Sequence, residues 1–210
     1  MDQPPPRPEA SSRVPQGRPP RRWLPAVAVL AVLMVTTAGG FVTAGALSEP
    51  AGPPVAIPGV VAVQPLSGWE AAEPGSVAGR PLVRLTRGSG TLVTVAWGPH
   101  SGDAASLAVE VRDELLGGSL DQLSVSETLT PVTLDQGVQG QRFTFVGIDR
   151  ESSAAVEGTV TAVVAPDGVG VVFLGLAPEG LLAFVDGDLH TMVAEARFGA
   201  EAGAAVEGSP

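Results

Sequence analysis

The 210-residue chain contains no cysteine, and a count along it finds no lysine, asparagine or tyrosine either. Without cysteine there is no disulfide, no thiolate metal ligand and no lipid carried on a terminal thiol. Without asparagine there is no acceptor for N-linked glycosylation. Isoleucine occurs only at Ile57 and Ile148, while Ala, Gly, Val, Pro and Arg are heavily used. That bias is the codon usage of a GC-rich genome, so the missing cysteine says nothing about redox compartment. Positive charge is scarce over most of the chain: residues 48–210 carry seven arginines against twenty acids. A nucleic-acid ligand requires a basic footprint to neutralise phosphates, and composition excludes that class.

One stretch lacks charge altogether. Residues Trp23 to Leu47 contain no ionisable side chain, and Arg7, Arg13, Arg18, Arg21 and Arg22 precede it. A bilayer core of about 30 Å needs about 20 apolar residues in a helix, which this run supplies. Pro25 stands where a helix begins, and Trp23 sits at the basic end as an interfacial aromatic. The arginine asymmetry predicts a cytoplasmic N-terminus and an extracytoplasmic main domain in the cell membrane. Thr36, Gly40 and Ala44 repeat small residues at four-residue spacing, a pattern that pairs helices in lipid and is also common in membrane helices generally. The competing reading is a signal peptide cleaved after Ala46, since Ala44-Gly45-Ala46 fits the cleavage pattern. The run is, however, longer than an h-region of roughly 7–15 residues.

The remainder divides by composition. Residues 1–22 are rich in Pro, Ser and Arg, and are expected to be a disordered cytoplasmic tail. Pro4-Pro5-Pro6-Arg7-Pro8 and Pro15-Gln16-Gly17-Arg18-Pro19-Pro20 are polyproline-type segments, read as a plain basic tether in preference to a docking motif. Residues 48–58 hold Pro50, Pro53, Pro54 and Pro58 and predict a semi-rigid spacer. Residues 199–210, Gly-, Ala- and Glu-rich, predict a frayed tail.

Residues 59–198 predict one folded domain. Val60 to Val63 begin a strand, and Pro65-Leu66-Ser67-Gly68-Trp69-Glu70 turns into another. Val83 and Leu85, then Val93, Val95 and Trp97, are expected on one face of a hairpin turning at Gly88-Ser89-Gly90. Asp103 is the expected N-cap of a helix burying Ala104, Leu107, Ala108, Val111 and Leu115, with Gly117-Gly118 as its stop. Short strands follow at Leu123–Thr128 and Val132–Leu134, with Phe143 and Phe145 opposed to Arg142 and Thr144. Residues 156–165 and 169–176 flank the turn Pro166-Asp167-Gly168. A last helix is expected from about Glu179 to Ala196, with Leu181, Phe184, Val185, Leu189, Met192, Val193 and Ala196 as its apolar face and Phe198 pinning its end. This order predicts an α+β fold, an antiparallel sheet with two main helices, preceded by a single transmembrane helix.

Pro65-Leu66-Ser67-Gly68-Trp69-Glu70, Ser101-Gly102-Asp103 before the first helix, the Asp167-Gly168 hairpin and the last helix ending at Phe198 together resemble the PsbP-like fold. Among its members the chain is similar to actinobacterial envelope lipoproteins of the LpqN type, with the apolar run replacing their lipid-bearing cysteine. The resemblance implies a non-catalytic accessory or binding domain and brings no active-site residues with it.

The residues themselves carry little chemistry. His100 and His190 are the only histidines, too few for a metal centre that needs three or four ligands. His190 with Asp186 at helical spacing is more often a solvated face than a ligand pair. No nucleophile elbow, P-loop or dinucleotide fingerprint is present. No serine is expected beside a base, and the acid pairs Asp113/Glu114 and Asp186/Asp188 are expected to be solvated. Trp69, Trp97 and His100 remain as binding candidates, the tryptophans being more often core than platform. The expectation is a single-pass, membrane-anchored extracytoplasmic binding or accessory module of the cell envelope, without metal or cofactor and not an enzyme. The alternatives are a signalling or assembly component acting through its basic tail, and a secreted protein released after Ala46.

Overall fold

The computed structural model describes residues 52–134, 136–199 and 202. The basic tail, the charge-free run with Thr36, Gly40 and Ala44, and most of the C-terminal tail lie outside them. Among the described residues no helix is long and apolar enough to cross a membrane.

The domain is α+β. Its strands are β1 Val55–Ile57, β2 Val61–Val63, β3 Glu70–Ala71, β4 Gly75–Val77, β5 Arg80–Arg87, β6 Gly90–Pro99, β7 Leu120–Val125, β8 Thr130–Thr133, β9 Gln139–Asp149, β10 Ala155–Val164, β11 Val169–Pro178 and β12 Arg197–Phe198. The main sheet is antiparallel in the order β3-β5-β6-β11-β10-β9-β7, with β4 on β5 and β8 on β9, and β1-β2-β12 form a small second sheet. Helix α1, Ala104–Val111, covers one face of the main sheet. Helix α2, Asp186–Ala194, and the small sheet cover the other.

Each face therefore has its own core, one around Val95, Leu107, Val111, Phe143 and Val160 and one around Val63, Leu85, Phe173, Leu189 and Met192. This two-sided burial corrects the hairpin reading. The two-residue turn sets Arg87 opposite Gly90, and the register then pairs Leu82 with Val95 and Arg84 with Val93. Cross-strand partners share a face, so Val83 and Leu85 join the α2-side core and Val93, Val95 and Trp97 the α1-side core.

The first helix starts as expected. Asp103 Oδ1 accepts the Ser106 N–H at 2.8 Å. Its end differs. Residues Arg112–Leu116 form a π-turn, and Gly117–Ser119 a final helical turn. The wider π-turn inserts one residue per turn, so Leu116 at 1% exposure takes the inward place predicted for Leu115. Gly117 keeps helical angles (φ −62, ψ −27) and does not stop the helix. The last helix is also shorter than predicted. Gly180 is left-handed (φ +83), a 3₁₀ turn spans Leu182–Phe184, and α2 begins only at Asp186. The break resets the helical phase, leaving Phe184 80% and Leu181 38% exposed while Val185, Leu189, Met192, Val193 and Ala196 are buried.

The expected spacer is partly folded. Val55–Ile57 pairs with Val61–Val63 across a turn closed by Val60 N–H to Ile57 O at 3.0 Å, because Val55 and Ile57 have apolar surface to bury and Pro58-Gly59 supplies the reversal. Phe198 is buried edge-on against Phe173, with ring centroids 6.3 Å apart. Packing continues beyond it to the buried Ala202.

Candidate functional site

Chain polarity gives the domain two ends. One carries the β5–β6 turn and the start of α2. The other carries the end of β6, the start of α1 and the β10–β11 turn. His100 and Trp97 lie at the second end, Trp69 at the first.

Alternation along β6 points Trp97 at α1, where it is 7% exposed. Its indole N–H donates to Glu110 Oε1 at 2.8 Å. The Arg80 guanidinium lies 3.8 Å from the ring centroid and also reaches Glu114 Oε2 at 3.4 Å. His100 follows three residues later, its backbone N–H tied to Gly168 O at 2.9 Å. Its Nδ1 is 3.5 Å from Glu110 Oε2 and its Nε2 is 3.0 Å from Ser106 Oγ. Gly102 permits this approach, since a Cβ there would sit 2.8 Å from His100 Nε2 and run into Ser106 Oγ.

A serine thus does stand beside a base, against the sequence reading. Ser106, His100 and Glu110 follow the order of nucleophile, base and orienting acid, and their partners act against that use. The Ser106 hydroxyl donates to the Asp103 carbonyl at 2.8 Å. Glu110 stands beyond hydrogen-bond distance of Nδ1, and its other oxygen takes the Trp97 N–H. The Ser106 amide is held by the Asp103 carboxylate, whose pKa that bond depresses below the usual range. The cluster clamps the β6–α1 loop to the helix.

Trp69, 5% exposed, donates its indole N–H to Asp188 Oδ2 at 3.0 Å, and Arg87 pairs with the same carboxylate. Asp186 is engaged by Arg142, whose Nε also donates to Thr159 Oγ1 at 2.8 Å. Both acids of this pair are held by arginines while their side chains stay partly exposed, Asp188 at 30% and Asp186 at 42%. His190 is exposed and lines, with Arg142, Thr159, Thr161 and Phe173, a hollow of about 10 Å³, the room of one water. Among the described residues no three His, Asp or Glu converge as metal ligands.

A shallow cleft of about 710 Å³ opens at the π-turn, lined by Asp113, Glu114, Gly117, Gly118 and Arg150. Its charges are matched. Arg112 Nε bonds Asp113 at 2.8 Å and holds its pKa low, and Arg150 bonds Asp121 at 2.7 Å and Gly118 O at 2.8 Å. Nearby in sequence, buried Asp149 Oδ2 and Ser119 Oγ have no partner among the described residues.

The three sequence candidates therefore do not form one site. The residues the sequence reading missed are Ser106, Glu110 and Arg80. Ser106 and Glu110 stand four apart on one helical stripe, the one signal available beforehand. Arg80 comes from another strand and had none.

No protein-family model and no curated protein matches this chain. Its backbone is similar to the solution structure of cyanobacterial PsbP (CyanoP) from Synechocystis, with a TM-score of 0.50 at 11% identity, over 77% of this chain and 98% of that one. The fold is PsbP-like. The Saccharomyces cerevisiae Ran-binding protein Mog1p is also similar, with a TM-score of 0.47 at 11% identity over 72% of this chain and 96% of that one. At this identity the PsbP-like fold is what the likeness shows, and the two tryptophan–carboxylate bonds are read from this chain alone.

Proposed function

We propose that this chain is a membrane-anchored, extracytoplasmic, non-catalytic binding or accessory module of the cell envelope, akin to LpqN-type proteins with a helix in place of their lipid. The observation that carries the reading is the charge-free run Trp23–Leu47, with five arginines before it and the folded domain beginning within eight residues after it, at Val55. A spacer that short holds a domain close to the membrane that anchors it. The structure adds a reason for binding over catalysis. The acids and arginines nearest the candidate side chains bond one another across sheet and helix, which leaves them organised as struts.

The test is protease added outside intact cells. Digestion of the domain, with a small N-terminal fragment retained in the membrane, is the expected result. The whole domain free in the medium would replace the anchor with cleavage after Ala46. Removal of residues 1–20 that abolishes function with the outer domain intact would favour the signalling reading.

A further inference from the structure

Phe184 is 80% exposed and Leu181 38%, on a turn that is firmly held. Glu157 Oε1 accepts the Leu182 N–H at 2.6 Å, Leu181 N–H bonds Pro178 O at 3.0 Å, and Phe184 N–H bonds Leu181 O at 3.1 Å. The next residue, Val185, is buried against Gly90, where a Cβ would come within 2.7 Å of it. The turn therefore displays Phe184 beside the tip of the β5–β6 hairpin. Arg87, 44% exposed, stands at the same tip and pairs with Asp188.

The chain enters the domain at this end. Gly52 O accepts from Gln64 Nε2 at 2.7 Å, and Gly68, four residues after Gln64, backs onto Arg87 at the hairpin tip. Between Leu47 and Gly52 the backbone spans at most about 18 Å. An exposed aromatic, a half-exposed arginine and the chain's entry point thus share the end that a short tether keeps near the bilayer.

We infer that the hairpin-tip end of the domain rests on the membrane surface, with Phe184 and Leu181 entering the interfacial layer of the bilayer. This rests on the anchored reading above. A single phenylalanine and a leucine bind a bilayer weakly on their own, but the tether makes the encounter intramolecular, where weak contacts suffice. Asp186 and Asp188 neutralise Arg142 and Arg87 and Glu179 adds a further negative charge, so this end gives no net attraction to anionic lipid and the layer entered is that of zwitterionic headgroups. The orientation places His100 and Trp97 about 30 Å out, at the far end of the ten-residue β6.

The absence of cysteine makes the test free of background labelling. The full chain is reconstituted in phosphatidylcholine vesicles with an environment-sensitive fluorophore on Ala183→Cys, Leu33→Cys or Ser101→Cys, and lipid-borne quenchers are added. The expected result is strong quenching at position 33 by deep quenchers. At position 183, quenching by headgroup-level quenchers exceeds that at 101 by about twofold or more, and it is lost when Leu181→Ser and Phe184→Ser are added. Quenching at 33 with position 183 behaving like 101 would overturn the interfacial contact and leave the anchor standing. Absence of quenching at 33 would overturn the anchor itself. A signal at 183 that rises with protein-to-lipid ratio would assign the patch to a second copy of the chain and overturn the lipid assignment.

Discussion

Trp97 is the residue on which most depends. It fills the α1-side core, caps its own N–H with Glu110 and carries Arg80 over its ring. Trp97→Ala is expected to cost on the order of 3–5 kcal/mol and to lower the melting temperature. An unchanged melting curve would show the ring contributes nothing to the fold. Asp103 offers a second check, through pH. Its folded pKa lies below the unfolded value because the carboxylate accepts the Ser106 amide. Its contribution is therefore present above the unfolded pKa of about 3.9 and is lost as pH falls through the folded pKa. Asp103→Asn keeps the capping oxygen without the titration, so stability should fall less steeply than wild type on acidification. Asp113, shifted the same way by Arg112, is common to both proteins and drops out of the comparison. Superimposable acid limbs would remove Asp103 from the linkage.

Within an element, the π-turn decides which leucine is structural. In a regular helix Leu115 would follow Leu107 and Val111 into the core. The inserted residue makes Leu116 that residue instead. Leu116→Ala is expected to cost about 2–5 kcal/mol, and Leu115→Ala clearly less. Urea midpoints of the two variants measure the difference, and equal losses would mean that the helix is regular in solution. Such turns recur at functional sites. Here the turn borders the cleft of Asp113, Glu114, Gly117, Gly118 and Arg150, so its register fixes the shape of that cleft as well as the core. The break before α2 is the same device in reverse, with a shift of helical phase turning Phe184 outward.

For the whole molecule, the two-faced sheet sets what can be removed. Strand β1 is the edge of the small sheet that closes the α2-side core. Ile57 is 5% exposed, and its partner strand holds Val61 and Val63 at 0%. A chain beginning at residue 59 is therefore expected to be less stable by about 2–5 kcal/mol, the cost of one large buried aliphatic, seen as a lower melting temperature. An unaltered melting temperature would return residues 55–57 to the role of spacer. At the same scale the exposed Phe184 and Leu181 stand at one end of the domain and His100 at the other, which on the anchored reading proposed above would make the first the membrane end.

Sequence alone fixed what depends on local chemistry. The cap at Asp103, the turns at Gly88-Ser89 and Asp167-Gly168, the opposed Phe143 and Arg142, and the α+β order all follow from neighbours a few residues apart. The charge-free run Trp23–Leu47 is likewise visible in the sequence, but it lies outside the described residues and its reading as an anchor stays a proposal. Tertiary structure alone decided the rest. Period-two patterning is symmetric when both faces of a sheet are apolar, so only the register could send Val83 and Val93 to opposite cores. A π-turn moves an inward position by one residue without changing composition. The clamp of Arg80, Trp97, His100, Ser106 and Glu110 joins β5, β6 and α1. No single segment holds enough of it to reveal that these polar groups are spent on one another.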